Sequence, residues 1–376
     1  MAKNKPKQTK QDEPKRSGDR AAKDSAAAKK KLSALEEKIA GLLGQHMDQA
    51  VKLAADEKAK SKLLRRLRDP QHLQKLTRKQ NSSVPTETLQ AIFQQLASAI
   101  EAGGQPQRVA FLGPLHSYSH LATLERFGAA AELVPVRTIA AVFEEVSSGQ
   151  ADAGVVPIEN STDGRIVDTL EMLTRASVRI CGEIPLPIHH CLLGTGSRTD
   201  IEQVCSKPQA ISQCRAWLAH HLPDAKIVSV SSTTAAAEMA AKDPSVAAIA
   251  SVQAGVQYGL RVLAENIEDN RENVTRFAVI GPEPAKRTGH DKTSLMFELP
   301  HEPGALADAM MIFKKNRLNL TWIESFPKPG SPNEYFFFVE LVGYQTDLRV
   351  RRAITALEKK CVRIEVLGSY EQANVR

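Results

Sequence analysis

Two short segments of this 376-residue chain gather groups able to do chemistry. Val156-Pro157-Ile158-Glu159-Asn160-Ser161-Thr162 sets a carboxylate, an amide and two hydroxyls at the end of an apolar run, so its polar residues stand on the rigid edge of a strand. More than a hundred residues later, Asn273-Val274-Thr275-Arg276-Phe277 places a hydroxyl, a fixed cation and an aromatic ring side by side, ahead of Ala278-Val279-Ile280. The Thr275 hydroxyl can donate a hydrogen bond to an oxygen, and the Arg276 fork suits a carboxylate. A helix expected to begin near Arg165 would add the N–H groups of its first turn to Asn160, Ser161 and Thr162, an arrangement that holds an anionic end. Ser117 and Ser119 take the equivalent position after the first strand. Ser206 and Gln213 are seven apart, so with Ser206 capping a helix that Pro208 opens, both face one side of it.

The pattern around these segments supplies the elements that must position them. From residue 108, short β-rich runs alternate with helical ones: strands at 109–112, 133–136 and 153–158 with helices between, the grammar of a parallel sheet. Strands at 178–188 and 191–193 cross to a second lobe holding a helix at 208–222, a strand at 227–230, a helix at 234–242 and a strand at 246–250. The chain returns through 262–264 and 277–280. Two lobes joined by crossing strands leave a cleft, and the Asn160 corner and the Thr275-Arg276 pair are expected on its opposite walls.

Before this region, apolar residues at helical spacing from Leu32 through Ala54 mark one long amphipathic helix running towards Leu64. A short helix follows at Pro70 and a longer one after Ser83-Val84-Pro85. After it, a Pro/Lys-rich linker at 283–292 leads to a last unit at 293–370. Its order is strand 294–299, helix 304–315, strand 319–325, strand 335–342, helix 348–360 and strand 362–367. The fold expected is multidomain: an all-α three-helix N-terminal domain at 32–104, a two-lobed α/β domain at 107–282 and an α+β βαββαβ domain.

Charge and cysteine content exclude several classes. The formal charge is +7, but Met1 to Lys31 carries 11 Lys/Arg against 4 Asp/Glu, which leaves 39 of each in the remainder. A neutral body with a basic tail at 1–31 reads as a solvated, disordered arm, so nucleic-acid binding is at most a property of that tail. No stretch is apolar enough for a membrane span. The five cysteines form no C-x-x-C pair and suit neither a disulfide framework nor a zinc site, which points to a reducing cytoplasm. His189-His190 invites a metal reading, yet adjacent residues on a strand point to opposite faces, so structural imidazoles are expected.

Gly113-Pro114, Ser119-His120, Glu159-Asn160-Ser161, residues 206–214, Ala264-Glu265-Asn266 and Thr275-Arg276-Phe277 together resemble prephenate dehydratase. The resemblance implies a two-lobed, periplasmic-binding-protein-like fold. It also implies the reaction in which prephenate loses carbon dioxide and its ring hydroxyl to give phenylpyruvate, with no metal or organic cofactor. Loss of hydroxide needs a proton or strong hydrogen bond at the departing oxygen. In the family the threonine of the Thr-Arg-Phe motif is required, here Thr275; Glu159 is a second candidate acid should burial raise its pKa. Arg276 on the departing carboxylate would stabilise the reactant, so it is placed on the pyruvyl side chain. Phe277 is expected to pack against the ring or shape its pocket. Ser206 and Gln213 match family positions that bind substrate.

The helical domain resembles the AroQ-type chorismate mutase of fused enzymes in architecture more than in chemistry. Lys29 and His46 stand where arginines are usual, Glu57 near a usual lysine, and Asp69-Pro70-Gln71-His72-Leu73 in place of Asp-Pro-x-Arg-Glu, so little mutase activity is expected. The last unit resembles an ACT regulatory domain. That implies a phenylalanine site at a subunit interface formed by Gly304, Ala305 and Leu306 against Glu324 and Ser325, where Phe326 replaces an arginine. A homodimer or homotetramer is implied. The alternatives that remain are a bifunctional mutase–dehydratase, an arogenate dehydratase and a non-catalytic sensor of aromatic acids.

Overall fold

The computed structural model describes residues 15–79, 84–103, 106–331 and 333–373, with side chains from residue 28 onwards apart from that of Glu57. The chain divides into two compact units, residues 1–104 and 105–376. Part of the expected tail, residues 1–14, lies outside the described residues.

The first unit is helical. α1 (Lys15–Ala54) begins well inside the expected tail, and it stops short of Leu64 because Asp56 caps a new helix, accepting from the Ala59 N–H at 2.8 Å. α2 (Glu57–Arg68), α3 (Pro70–Lys79) and α4 (Thr86–Ala102) complete a four-helix unit where three helices were expected. Its small core joins Ala50 of α1 to Leu63, Leu64 and Leu67 of α2 and to Ala97 and Ile100 of α4. The N-terminal half of α1 presents Leu32, Leu35, Ile39 and Leu42 to solvent, each more than half exposed.

The second unit opens with β1 (Arg108–Leu112), α5 (Tyr118–Phe127), β2 (Glu132–Val136), α6 (Ile139–Ser147), β3 (Ala153–Asn160), the short β4 (Gly164–Arg165), α7 (Val167–Leu173) and β5 (Arg179–Pro187). The chain then crosses to β6 (Cys191–Gly194), β7 (Gln203–Ser206), α8 (Pro208–Gln213), α9 (Arg215–His221), β8 (Lys226–Ser229), α10 (Thr233–Ala240), β9 (Val246–Ala250), α11 (Val252–Gln257) and β10 (Arg261–Ala264). It returns as β11 (Val274–Gly281). Lobe one is a sheet of order β2-β1-β3-β11-β5 with β4 beside β3; lobe two has order β10-β6-β9-β7-β8. Both are mixed: β11, returning to lobe one, runs antiparallel to β3 and β5, and β6, entering lobe two, runs antiparallel to β9 and β10. The single helix expected at 208–222 breaks at Cys214, a fully buried thiol whose backbone leaves the helical range.

The last part comprises β12 (Asp291–Glu298), α12 (Ala305–Lys315), β13 (Leu320–Pro327), β14 (Tyr335–Val342), α13 (Leu348–Glu358) and β15 (Arg363–Glu371). This βαββαβ chain makes a four-stranded antiparallel sheet of order β13-β14-β12-β15. One face packs on α12 and α13 through Leu295, Phe297, Phe313 and Leu357. The other shares a core with lobe one, in which Met296, Phe338 and Tyr370 meet Val156, Ile158, Ala278 and Ile280. No helix among the described residues is long and apolar enough to cross a membrane.

Candidate active site

The two segments singled out in the sequence are neighbours in one sheet. β3 and β11 pair antiparallel, with Asn160 opposite Thr275 and Glu159 opposite Arg276. A β-bulge interrupts the ladder: Phe277 faces Pro157, and the residue before it in β11, Arg276, faces Glu159, so Ile158 of β3 is the extra residue. Side chains alternate along a strand, and a bulge shifts that alternation by one. Without it Glu159 would stand beside Thr275; with it Asn160 does. Asn160 and Thr275 therefore stand side by side on adjacent strands rather than on the opposite walls expected.

Asn160 is 3% exposed, and its amide is fixed from both ends. Its Oδ1 accepts from the N–H groups of Thr162 and Asp163, each at 3.0 Å, which closes an Asx-type turn. Its Nδ2 donates to Asn273 Oδ1 at 2.9 Å and to Thr275 Oγ1 at 2.8 Å. Because the Thr275 oxygen accepts this bond, its own hydrogen points elsewhere, and no acceptor among the described residues takes it.

From Asn273 the network crosses to lobe two. Asn273 Nδ2 donates to Gln213 Oε1 at 3.1 Å, and Gln213 Nε2 donates to Asp163 Oδ2 at 2.7 Å, where Gln209 also donates. Gln213 Oε1 lies 2.9 Å from His190 Nε2, and His190 Nδ1 lies 3.0 Å from the Tyr118 hydroxyl. Gln213 Nε2 is committed to Asp163, so its oxygen must accept and His190 Nε2 must carry the hydrogen. Nδ1 then carries no hydrogen, and the one hydrogen of the Tyr118 hydroxyl, which donates to the His189 carbonyl at 2.7 Å, is shared at most in part with it. Burial pushes the His190 pKa down, which favours this neutral tautomer. Glu268 accepts from the His190 N–H and lies 2.8 Å from His189 Nδ1; its pKa, opposed by burial, is held below the usual carboxylate range by these bonds. The two histidines are thus partnered imidazoles on the segment that crosses between lobes.

Several expected roles do not fit this geometry. Arg276 lies on the face of β11 opposite Thr275, and its fork grips Glu340 of β14, at 3.0 Å from Nη1 and 2.7 Å from Nη2. It is not free to take a pyruvyl carboxylate from the cleft. Glu159 shares that far face, 3.5 Å from Arg276, and so cannot act as an acid alongside Thr275. Phe277 is 1% exposed and belongs to the lobe-one core with Val109, Phe111 and Val155, so it packs beneath Thr275 on the same face of β11 and has no surface for a ring. Ser206 is fully buried and donates to the Ile249 carbonyl at 2.6 Å, tying β7 to β9 rather than capping α8. Ser117, not Ser119, caps α5. Ser119 is 7% exposed in its first turn. Ser161 accepts from the Val274 N–H at 2.9 Å and Thr162 donates to Asn273 Oδ1 at 3.2 Å, so both hold the corner. The helix expected near Arg165 starts only at Val167, because Gly164 and Arg165 fold back as β4 beside Asn160 and Glu159.

Asn273, Asp163, Gln209, Tyr118 and His190 were not among the candidates. The available signal was polarity where the chain turns or crosses between lobes, which becomes a site only once the lobes are docked. Among the described residues no group of three or more His, Cys, Asp or Glu side chains gathers as a metal site. In the C-terminal sheet, Gly304 caps α12 at φ 87°, a conformation that favours glycine, with Ala305 behind it and Leu306 40% exposed. Glu324 pairs with Arg165 at 3.0 Å, Ser325 is exposed, and Phe326 is buried edge-on against Phe338.

Comparison with known proteins gives the family. Residues 109–285 match the family model described as prephenate dehydratase. The chain is 42% identical over 290 residues to the bifunctional chorismate mutase/prephenate dehydratase of Aquifex aeolicus, covering 77% of this chain and 80% of that one. It is 36% identical to the protein of that name from Stutzerimonas stutzeri, over 92% of this chain and 97% of the relative. Among solved structures, prephenate dehydratase from Arthrobacter aurescens in complex with L-Phe is similar, with a TM-score of 0.66 and 36% identity over 71% of this chain and 90% of that one. The chain belongs to the prephenate dehydratase family, in the form that carries a helical unit ahead of the dehydratase, and is a lyase that converts prephenate to phenylpyruvate.

Proposed function

We propose that Thr275 drives the dehydration by donating its hydroxyl hydrogen to the departing ring oxygen. The supporting observation is the Asn160 amide, which fills an acceptor position of the Thr275 oxygen and is itself oriented by two backbone N–H groups. Such preorganisation directs a donor at charge that develops only in the transition state. With Arg276 held by Glu340, the substrate's anionic ends fall to the Asn160–Thr162 corner and to the amides of Gln209 and Gln213. Those amides now converge on Asp163, which occupies the place of an incoming carboxylate. Ser117 and Ser119 border the same crevice from α5.

The C-terminal βαββαβ unit is read as an ACT domain that senses phenylalanine. The Arthrobacter aurescens relative is described in complex with L-Phe, and here Gly304, Ala305 and Leu306 offer an exposed, small-residue helix start. Burial of Phe326 and engagement of Glu324 leave fewer polar groups for the effector. The apolar stripe of α1 supports association of chains as a homodimer or homotetramer. The free and mostly buried cysteines suit a cytoplasmic enzyme.

The helical unit is read as lacking mutase activity despite its relatives' names. Two of its cations are turned to its own carboxyl and carbonyl groups: Arg68 pairs with Glu101 at 2.5 Å, and Lys60 reaches the Glu101 carbonyl at 3.4 Å. His46 packs edge-on against Phe93. Purified full-length enzyme offered chorismate, prephenate and arogenate separately, with and without phenylalanine, tests these readings. Turnover of prephenate alone, inhibited by phenylalanine, is the expected result; turnover of chorismate at ordinary enzymic rates sinks the mutase part, and preference for arogenate sinks the substrate assignment.

A further inference from the structure

Behind Thr275 lies a closed set of charges that dehydration chemistry does not use. Arg276 of β11 meets Glu340 of β14, Glu183 of β5 at 3.8 Å and Glu159 of β3 at 3.5 Å. Lys292 of β12 bridges Glu340 at 2.8 Å and Glu183 at 2.5 Å. The Tyr370 hydroxyl of β15 donates to Glu340 at 3.1 Å, and Trp322 of β13 lies under the guanidinium at 5.6 Å. Glu340 has no exposed side-chain surface, Lys292 has 5% and Glu183 has 7%. Every strand of the C-terminal sheet and the three central and edge strands of lobe one are therefore joined at the residue next to Thr275.

An ion-pair cluster of this kind contributes little net stability compared with apolar packing, since desolvation offsets the attraction; what it supplies is one defined geometry. On its β3 side this point of β11 is less firmly held, because the bulge at Ile158 interrupts the ladder between Arg276 and Phe277. On its other side β11 stays in register with β5, where Thr275 and Arg276 stand opposite Leu186 and Pro185, and Pro185 has no N–H to give. A small rotation there would swing the Thr275 hydroxyl off the Asn160 amide. The bidentate fork of Arg276 resists that rotation, because both Glu340 oxygens must stay in plane with it.

We propose that Glu340 is a positioning residue for the dehydratase: acting through Arg276, the C-terminal sheet holds β11 in the register that presents the Thr275 hydroxyl to the cleft. The claim rests on the assignment of Thr275 as the proton donor. It makes the C-terminal unit part of the catalytic apparatus, and any ligand that shifts β14 acts on Thr275 by this route.

Steady-state kinetics on the full chain test it with Glu340→Gln, Glu340→Asp, Thr275→Ala and the Thr275→Ala/Glu340→Gln double variant, each checked by circular dichroism for folding. Glu340→Gln is expected to lower kcat about 10- to 100-fold with KM changed less than about 3-fold, and Glu340→Asp to recover most of the loss. In the Thr275→Ala background Glu340→Gln should cost less than about 2-fold more, because the group it positions is gone. Should Glu340→Gln fail to fold, Lys292→Met/Glu340→Gln removes one charge of each sign and is read the same way. Unchanged kcat in a folded Glu340 variant, or an equal loss with and without Thr275, overturns the proposal. Wild-type kcat in Thr275→Ala instead overturns the role of Thr275 itself.

Discussion

Asn160→Asp changes one atom and inverts the chemistry at the site. In the native chain Asn160 Nδ2 gives hydrogens to Asn273 and Thr275, while Oδ1 accepts from Thr162 and Asp163. Aspartate keeps the two backbone bonds but has no hydrogen to give. The Thr275 hydroxyl, 2.8 Å away, then becomes a donor to that carboxylate and is withdrawn from the departing ring oxygen. A hydrogen bond to a charged group contributes about 1.5 to 3 kcal/mol, so releasing the hydroxyl for catalysis should lower kcat by about 10- to 150-fold. Asn273 Oδ1 also faces the new charge, and turning its amide to donate would forfeit its bond to Gln213. KM should therefore rise modestly, by about 2- to 5-fold, within the range of one neutral hydrogen bond. Initial rates of phenylpyruvate formation across prephenate concentrations separate the two constants. A wild-type kcat in Asn160→Asp would refute the view that the amide frees the threonine to donate.

Other consequences can be checked independently. Burial lowers the His190 pKa, so its neutral form contributes stability that is present above the ordinary histidine value of about 6.5 and is lost as pH falls through the lower folded value. Thermal melts should show this loss in mild acid, and His190→Gln should flatten it. Asp163→Ala removes the acceptor that Gln209 and Gln213 share across the lobes, and exchange of the backbone amides at positions 162 and 163, which donate to Asn160, should quicken by about 10-fold or more, the loss of one charge-assisted bond. A Cβ at Gly368 would fall inside van der Waals contact with the Ile180 carbonyl oxygen and nitrogen. Gly368→Ala should therefore lower stability by about 1 to 3 kcal/mol, the cost of overpacking at rigid backbone, read as a fall in melting temperature.

What the sequence made legible was where the strands lie and which of them end in polar groups. The 246–250 and 335–342 strands coincide with β9 and β14, because five buried residues and an aromatic, β-branched run leave little else for those segments to be. What it hid was facing. Asn160 and Thr275 stood out in the sequence, but their pairing depends on an extra residue at Ile158. The one local signal is Pro157, which cannot donate to a ladder and so marks an edge strand or a bulge without saying which. Arg276 misled for the same reason: beside Thr275 in sequence, it lies one pleat away in space. Ser206 misled because a serine before Pro208 suits a helix cap, whereas the Ile249 carbonyl of a strand forty-three residues away claims its hydroxyl.

That one-pleat separation explains how a single tripeptide serves two ends. Thr275 faces the cleft, where a hydroxyl can meet substrate, while Arg276 faces the C-terminal sheet, where a guanidinium can be held by carboxylates without approaching the group about to depart. Placed on the cleft side, that cation would stabilise the reactant carboxylate and slow its loss. Placed behind, on the assignment proposed above, it leaves substrate to uncharged donors, the amides of Gln209 and Gln213 and the Thr275 hydroxyl, with Asn160 spent on orienting the last. These can orient two anionic groups without binding either so tightly that one cannot leave. The Glu340 carboxylate completes the logic: opposed by burial, its pKa is held below the usual range by Arg276 and then Lys292, so it remains an anion and keeps the guanidinium turned away from the reaction.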